Sequence, residues 1–198
     1  MSKVVLDISM SLDGFIAQPD DAAGPIHEWF FAGDEPHAHC PMLTPARGPS
    51  QAVLDATYEA TGAVIAGRRT YDFTGGWGGQ HPMGVPVFVV THEAPVDVPD
   101  GPTDFTFTEG VEAAVEQARQ TAKGRDICVM GGASMADECL RRHLLDEIQI
   151  HLTPVIMGAG VRMFDGAETR RLEPISIVDA GDVVHLRYRV CTEPRRSS

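Results

Sequence analysis

The stretch Val-Met-Gly-Gly-Ala-Ser-Met, residues 129–135, joins a short apolar run to a segment with helical spacing. Glycine has no Cβ, so two adjacent glycines at such a junction let a phosphate approach the backbone N–H groups. The same pair equally suits a tight turn that binds no ligand. Gly131 and Gly132 therefore predict a strand, a turn and a helix, and they leave open whether the turn binds a cofactor.

Strands and helices alternate on both sides of this junction. Apolar or β-rich runs predict strands over residues 4–10, 63–66, 85–91, 105–108, 127–130 and 147–153, and helical spacing predicts helices over residues 51–59, 68–73, 111–122 and 134–143. This alternation indicates an α/β fold with a mostly parallel, doubly wound sheet. Near the end of the chain, β-rich runs at residues 174–180 and 183–192 flank Gly181-Asp182 and predict an antiparallel hairpin. The predicted fold class is a mixed α/β sheet with antiparallel C-terminal strands.

Composition and charge exclude several classes of protein. The 198 residues carry a formal net charge of −12, which argues against a nucleic-acid partner and an anionic membrane surface. No apolar stretch approaches the length of a membrane span, and residues 2–10 lack the pattern of a signal peptide. The four cysteines form no CxxC pair, which is typical of reduced thiols in the cytoplasm. We expect a single cytoplasmic domain over residues 1–192, followed by a polar tail over residues 193–198.

Three consecutive strand-to-helix junctions carry groups that suit a polyanion. One strand runs into Arg68 and Arg69, the next ends in Thr91-His92, and the third ends in the glycine pair. Guanidinium groups bind phosphate with two parallel hydrogen bonds. Each junction alone is also typical of an ordinary surface turn with solvated arginines, but together they favour a nucleotide with several phosphates. Neither a P-loop motif nor a Rossmann glycine motif is present, so an ordinary ATPase and a Rossmann dehydrogenase are not supported.

A metal site and covalent catalysis are the alternatives from other classes of chemistry. His27, His37, His39 and Cys40 supply zinc-type donors, but they lie in a Pro-rich region with no second paired motif, so we predict no metal. No Gly-x-Ser-x-Gly nucleophile motif exists either.

An ordered set of motifs resembles a known family. The stretches are SMSLDGFIA (residues 9–17), GRRTY (67–71), VTH (90–92), MGGA (130–133), DEIQIHLTPVIMGAG (146–160) and HLRYRV (185–190). Together they cover nearly the whole chain and resemble the dihydrofolate reductase-like family. The resemblance is strongest to stand-alone relatives of the reductase domain of the bifunctional riboflavin-biosynthesis deaminase–reductase.

The resemblance implies NADPH as cofactor. It also implies a homodimer, as does the apolar content that we expect to be exposed along residues 183–190. By position it implies that Arg68 and Arg69 hold the 2′-phosphate, that the glycine pair holds the pyrophosphate, and that Ile16 borders the nicotinamide. The full implied cofactor set is Ile16, Ala17, Gly67, Arg68, Arg69, Thr70, Thr91, His92, Met130, Gly131, Gly132, Ala133 and Ser134.

The substrate side of the implied site is less well determined. The resemblance implies substrate contacts from Ser9, Trp29 and Thr153. Folate-reducing members place an acid at the start of their first helix, where this chain offers only Glu28. Asp13 is the other candidate catalytic carboxylate, and it equally suits an Asp-Gly turn.

Together these expectations predict that the protein is an NADPH-dependent reductase of a small heterocyclic or carbonyl compound. The prototype implied by the resemblance is reduction of 5-amino-6-(5-phosphoribosylamino)uracil in riboflavin biosynthesis. A phosphorylated substrate needs basic partners, whereas residues 19–49 contain only Arg47. Two alternatives remain open: dihydrofolate reduction, and an NADPH-binding protein without turnover.

Overall fold

The computed structural model describes residues 2–22, 24–33 and 46–191, and these residues form ten strands and four α-helices. The strands are β1 (Val4–Ser11), β2 (Phe15–Ala17), β3 (Thr61–Gly67), β4 (Val87–Val90), β5 (Phe105–Thr108), β6 (Asp126–Met130), β7 (Glu147–Thr153), β8 (Val161–Arg162), β9 (Leu172–Asp179) and β10 (Val184–Val190). The helices are α1 (Pro49–Ala60), α2 (Arg68–Phe73), α3 (Val111–Thr121) and α4 (Ala133–Arg141), with 3₁₀ segments at Gly24–Phe31 and Gly75–Gly79.

Eight of the strands form one sheet in the order β5-β4-β3-β6-β1-β7-β10-β9. The strands from β5 to β7 are all parallel, whereas β10 is antiparallel to β7 and β9 is antiparallel to β10. Strands β2 and β8 pair separately as a small antiparallel sheet. The predicted fold class, a mostly parallel mixed sheet with antiparallel C-terminal strands, is confirmed.

The two faces of the central strands differ in chemistry because successive side chains point to opposite faces. One face carries Leu6, Ile8 and their apolar neighbours, and it packs against α3 and α4 in the main core. The other face carries Ser9 beside His151, and His185 lies beside His151 in turn. This second face is polar yet buried, since α1 and the 3₁₀ segment Gly24–Phe31 cover it.

Helix α4 shows how the opening stretch of sequence folds. Its buried residues Met135, Ala136, Cys139 and Leu140 recur on one side of the helix, as an amphipathic helix requires. Gly131 and Gly132 both have positive φ values, 84° and 66°, and turn the chain from β6 into the helix. The strand–turn–helix prediction is therefore correct.

Some predictions about local structure need correction. The 3₁₀ segment Gly24–Phe31 and the small β2–β8 sheet are missing from the prediction, because short segments carry too little periodicity to reveal them. Strand β10 is not an exposed apolar surface, since it lies between β7 and β9. Exposed apolar side chains occur instead on β9, at the edge of the sheet, where Ile177 is 63% exposed. Within the described ranges, no helix is both long enough and apolar enough to cross a membrane.

Candidate active site

A cavity of about 1520 Å³ opens at the carboxyl ends of the parallel strands. This edge is where open α/β sheets bind their ligands. Pockets for one small ligand are typically about 300–1,000 Å³. The cavity is therefore large enough for two molecules bound side by side.

All thirteen residues that the resemblance implies for the cofactor line this cavity. They come from β2, from the β3–α2 and β6–α4 junctions, and from the segment after β4. The three strand ends singled out in the sequence therefore converge on one place, but β4 leads through a loop into β5 and not into the predicted helix. Their convergence is geometric, and their role in binding stays a prediction.

The two glycines of the opening stretch differ in their surroundings. A Cβ on Gly131 would lie 2.1 Å from Thr70 Oγ1, so this glycine lets the β6–α4 junction pack against α2. A Cβ on Gly132 would have no atom nearer than 3.9 Å. Gly132 also precedes the first turn of α4, whose N–H groups have no intrahelical acceptors. Gly131 is therefore required for packing, whereas Gly132 leaves room for a ligand.

Two arginines form a basic end of the cavity, and each has a carboxylate partner. Arg68 Nε donates to both oxygens of Asp72, at 2.8 and 2.9 Å, and its Nη1 donates to the carbonyl oxygen of Glu93. Arg69 Nε donates to Asp21 Oδ2 at 2.6 Å. The Arg69 side chain is 74% exposed, so its pairing with Asp21 is open to exchange with another anion.

The opposite end of the cavity, which we call the inner end, is formed by Asp7, Ser9, Trp29, Leu54, Tyr58 and His151. Trp29 Nε1 donates to Ser9 Oγ at 3.1 Å, and its ring lies 4.6 Å from the ring of His151. Asp7 presents a carboxylate here, with Oδ1 at 3.1 Å from His151 Nε2 and Oδ2 at 2.8 Å from Gln149 Nε2. The inner end therefore combines an aromatic wall with one carboxylate.

Behind His151 the hydrogen bonds continue away from the cavity. His151 Nδ1 lies 2.7 Å from His185 Nδ1, and His185 Nε2 lies 2.8 Å from Ser50 Oγ. All three side chains are buried. Burial, followed by the neighbouring His151, lowers the pKa of His185 to about 4. His185 is therefore neutral near pH 7.

Three of the predicted site residues lie outside the cavity, namely Glu28, Thr153 and Asp13. Glu28 is exposed on the 3₁₀ segment, because that segment turns the tryptophan at position 29 inward instead. Thr153 is buried and donates to the backbone oxygen of Met10 at 3.2 Å. Neither position contacts the cavity, so the geometry does not support a catalytic role for Glu28 or a substrate contact for Thr153.

Asp13 holds two loops together. It accepts hydrogen bonds from Ser11 Oγ at 2.7 Å and from the backbone N–H groups of Met157 and Gly158 at 3.0 and 2.7 Å. The bond from Ser11, together with those backbone bonds, lowers the pKa of Asp13 to about 2. A carboxyl group that stays ionised and lies outside the cavity is not a proton donor for a ligand in it, so Asp13 is a structural residue.

The zinc-type cluster falls mostly outside the described residues, which include only His27 of its four members. Among the residues that the structure describes, no group of three or more His, Cys, Asp and Glu side chains is placed to hold a metal ion.

Sequence reasoning missed the Asp7–His151–His185–Ser50 chain. The available signal was polar side chains at every second position of a strand that is otherwise apolar, as in Ile148-Gln149-Ile150-His151. Such alternation is usually typical of a strand with one face in water. Here the polar face is buried under α1, and only the fold reveals it.

The chain is similar to several known proteins. Residues 2–186 match the RibD C-terminal domain family. The uncharacterized protein YwjB of Bacillus subtilis (strain 168) is 27% identical over 187 residues, which cover 94% of this chain and 97% of that protein.

Solved structures agree with the fold. A putative riboflavin biosynthesis protein from Shewanella sp. PV-4 has a TM-score of 0.70 at 20% identity, over 96% of this chain and 99% of its own. A pyrimidine reductase-like protein from Corynebacterium diphtheriae has a TM-score of 0.63 at 13% identity, over 97% of this chain and 93% of its own. These likenesses concern the fold, and the family match extends over nearly all of the sequence. The chain belongs to the RibD C-terminal domain family and has the dihydrofolate reductase-like fold of RibD reductase domains.

Proposed function

We propose that this protein is an NADPH-dependent reductase that transfers a hydride to a small, unphosphorylated heterocyclic or carbonyl compound. The observation that carries the proposal is the single cavity with two chemically different ends. Arginines and a glycine turn lie at the basic end, and an aromatic wall with a carboxylate lies at the inner end. A dinucleotide and its hydride acceptor need such a pair of neighbouring sites.

The basic end fits the polar part of a dinucleotide. Gly132 leaves open space before the first turn of α4, where a pyrophosphate accepts hydrogen bonds from backbone N–H groups. Arg68 and Arg69 lie at the same end and suit the 2′-phosphate that distinguishes NADPH from NADH. Ile16 and Ala17 line the cavity at the place proposed for the nicotinamide. When bound, the reduced nicotinamide supplies the hydride.

The inner end does not suit a phosphorylated acceptor. The sequence contains no Lys or Arg between Lys3 and Arg47, and none between Arg47 and Arg68. The described residues that form the inner end are aromatic, aliphatic and polar side chains together with Asp7, and none of them is Lys or Arg. A phosphate placed there therefore meets a carboxyl group and no Lys or Arg among these residues. We therefore propose that this chain keeps the reaction class of its family and takes a different, unphosphorylated substrate.

A titration followed by an acceptor screen tests this function. Quenching of protein fluorescence by NADPH measures binding, and loss of NADPH absorbance measures turnover with dihydrofolate, 5-amino-6-ribosylaminouracil with and without its 5-phosphate, and 9,10-phenanthrenequinone. We expect binding of NADPH, oxidation by at least one unphosphorylated acceptor, and slower oxidation by the phosphorylated uracil. Failure to bind NADPH contradicts the cofactor. Binding without oxidation by any member of the panel supports the alternative of a nucleotide-binding protein without turnover.

We also propose that two copies of the chain associate through β9. This strand lies at the edge of the sheet, and its Leu172, Ile175 and Ile177 are exposed. An edge strand with free backbone groups and apolar side chains is suited to pairing with another chain.

A further inference from the structure

We propose that Asp7 is the catalytic acid that protonates the hydride acceptor, and that Ser50, His185 and His151 form the hydrogen-bonded chain that returns a proton to it. This inference rests on the proposed reductase function. It assigns the proton donor that neither Asp13 nor Glu28 is placed to be.

Asp7 lies on β1 at the inner end of the cavity and its side chain is 15% exposed. Its oxygens contact His151 Nε2 at 3.1 Å and Gln149 Nε2 at 2.8 Å. Among the described residues no Lys or Arg forms an ion pair with Asp7. Asp7 is therefore the carboxyl group that the inner end of the cavity presents to a ligand.

The hydrogen-bonded chain behind Asp7 continues without a break to Ser50. Each of its three contacts is 3.1 Å or shorter: Asp7 to His151, His151 to His185 at 2.7 Å, and His185 to Ser50 at 2.8 Å. His151, His185 and Ser50 are each at most 3% exposed. The four residues come from β1, β7, β10 and the first turn of α1, so four separate elements hold the chain in line.

The hydrogen bonds assign one direction to the chain once Asp7 has given up its proton. The resulting carboxylate only accepts, so His151 donates to it from Nε2 and accepts through Nδ1. His185 then donates from Nδ1 and accepts through Nε2, which requires the Ser50 hydroxyl to donate. Every donor therefore points toward Asp7. Ser50 itself follows Gly48 and Pro49, which are exposed, so its end of the chain lies just beneath the surface.

The surroundings keep His185 neutral. Burial, followed by the neighbouring His151, lowers the pKa of His185 to about 4, while Asp7 and Asp182 act in the opposite direction. The covering elements α1 and the 3₁₀ segment contribute the neutral groups Thr57 and Trp29 to this face.

Farther along the same face, Arg187 of β10 is engaged by Glu147, at 2.7 Å, and lies 4.0 Å from Asp126. Arg187 is therefore paired with carboxylates farther along this face.

When the acceptor carbon gains the hydride, the π electrons of its C=N or C=O bond move to the heteroatom, which takes the proton of the Asp7 carboxylic acid. The resulting carboxylate regains a proton from His151 Nε2, while His151 Nδ1 takes one from His185 Nδ1. His185 Nε2 takes the proton of the Ser50 hydroxyl, and Ser50 is reprotonated by solvent water. Both imidazole rings then carry their protons on the opposite nitrogens, and each returns to its starting tautomer before the next turnover. No electrons pass through the chain.

The test is NADPH oxidation by 9,10-phenanthrenequinone, whose oxygen must gain a proton, measured by stopped flow from pH 5 to pH 9. In the natural protein we expect the rate to fall as pH rises, because the acid must be protonated. Asp7→Asn keeps the shape of the side chain and cannot ionise. We expect it to lower the rate about 10²–10⁴-fold, the usual contribution of general acid catalysis, and to abolish the pH dependence. Its affinity for NADPH is expected to stay unchanged, which shows that the variant is folded.

Ser50→Ala tests the far end of the chain. We expect the first turnover to keep its rate and later turnovers to slow. An Asp7 that is already protonated serves only one turnover, and the next one needs a proton delivered through the chain. Thr61→Val is the matched control, since it removes a similarly buried hydroxyl that donates to the Thr57 carbonyl outside the chain.

The outcomes separate the two proposals. If the natural protein binds NADPH but reduces no acceptor, the reductase function fails and the proton donor fails with it. If the natural protein oxidises NADPH with the quinone and Asp7→Asn does so at the same rate and with the same pH profile, only the assignment of the acid is overturned. A steady-state rate for Ser50→Ala equal to that of Thr61→Val at every pH overturns the chain.

Discussion

Thr70 and Gly131 are in direct contact: a Cβ built on Gly131 would lie 2.1 Å from Thr70 Oγ1 and 2.8 Å from its Cγ2. The two residues belong to neighbouring strand-to-helix junctions at one edge of the sheet. Their contact brings the arginines after β3 and the glycine turn after β6 into the same cavity wall. The glycine pair therefore serves two purposes, since Gly131 permits this contact and Gly132 leaves the space beside it open.

This difference predicts unequal effects of two alanine substitutions. Both glycines have positive φ, and Gly132, with ψ 117°, also lies outside the left-handed helical region, so an alanine is strained at either position. Gly131→Ala adds a clash with Thr70, for which overpacking typically costs about 1–3 kcal/mol more. We expect Gly131→Ala to lower the free energy of unfolding more than Gly132→Ala, measured by urea denaturation. We expect Gly132→Ala to weaken NADPH binding despite its milder effect on stability. Equal losses of stability would contradict the packing role of Gly131.

Arg69→Ala is expected to weaken NADPH binding about tenfold and to leave NADH binding nearly unchanged, because a charge-assisted hydrogen bond to the 2′-phosphate is lost. Fluorescence titration with both nucleotides measures the difference. Arg119→Ala, on the solvent side of α3 and outside the cavity, is the matched control. An equal effect of Arg69→Ala on both nucleotides removes the 2′-phosphate role.

Asp21→Asn is expected to act in the opposite direction. Asp21 accepts the hydrogen bond from Arg69 Nε at 2.6 Å, so its carboxylate competes with any phosphate for the same guanidinium. Removing that charge is expected to strengthen NADPH binding several-fold at low salt, with the gain decreasing as salt is added. Asp20→Asn removes the neighbouring carboxylate, which accepts from the Ala22 N–H and does not reach Arg69. If the two variants bind NADPH equally well, the competition does not exist.

Asp13 predicts a pH-dependent contribution to stability. Its pKa lies at about 2, below the ordinary 3.8, because the Ser11 hydroxyl and two backbone N–H groups donate to the carboxylate. A lowered pKa means that the stabilisation is present above about pH 4 and is lost as pH falls toward 2. We expect Asp13→Asn to be less stable than the natural protein at pH 6, with the difference shrinking below pH 4. Thermal unfolding across this range measures it, and a difference that stays constant with pH contradicts the assignment.

Ile177→Lys tests the proposed association through β9. A charge on this exposed edge strand is expected to convert a dimer into a monomer, as measured by light scattering after size-exclusion chromatography. Val96→Lys is the matched control, because Val96 is 98% exposed on a loop between β4 and β5. A monomeric natural protein, or a dimer that survives Ile177→Lys, argues against this interface.

The parts of the structure that the sequence predicts are those with a strong local signal. The strands β3 and β6 are short apolar runs followed by glycine or arginine, and their order along the chain is enough to indicate a parallel sheet. The same junctions predict the basic end of the cavity, because carboxyl ends of parallel strands meet at one edge. Arg68, Arg69 and Gly132 could therefore be placed together without knowledge of any long-range contact.

Ser9 and Trp29 of the inner end were named from the sequence, but the hydrogen-bonded chain behind it was not, for a physical reason. Asp7, Ser50, His151 and His185 are far apart in the sequence, and each has an ordinary local setting. Only the register of β1 with β7 and of β7 with β10, together with the cover provided by α1, brings them into one line. Glu28 failed as a candidate because a 3₁₀ segment has a different periodicity from the α-helix, so its outward and inward faces could not be assigned.

The position of β1 in the sheet also bears on how the chain is made. Its two neighbours are β6 and β7, which come late in the sequence, whereas β1 itself is the first strand. During synthesis, β1 therefore has both of its edges unpaired until residues 126–153 have emerged from the ribosome. Long-range pairing of this kind slows folding and leaves apolar strand edges exposed to aggregation. We expect nascent chains that stop before β6 to depend on chaperones, and the cavity to form only after most of the protein has been translated.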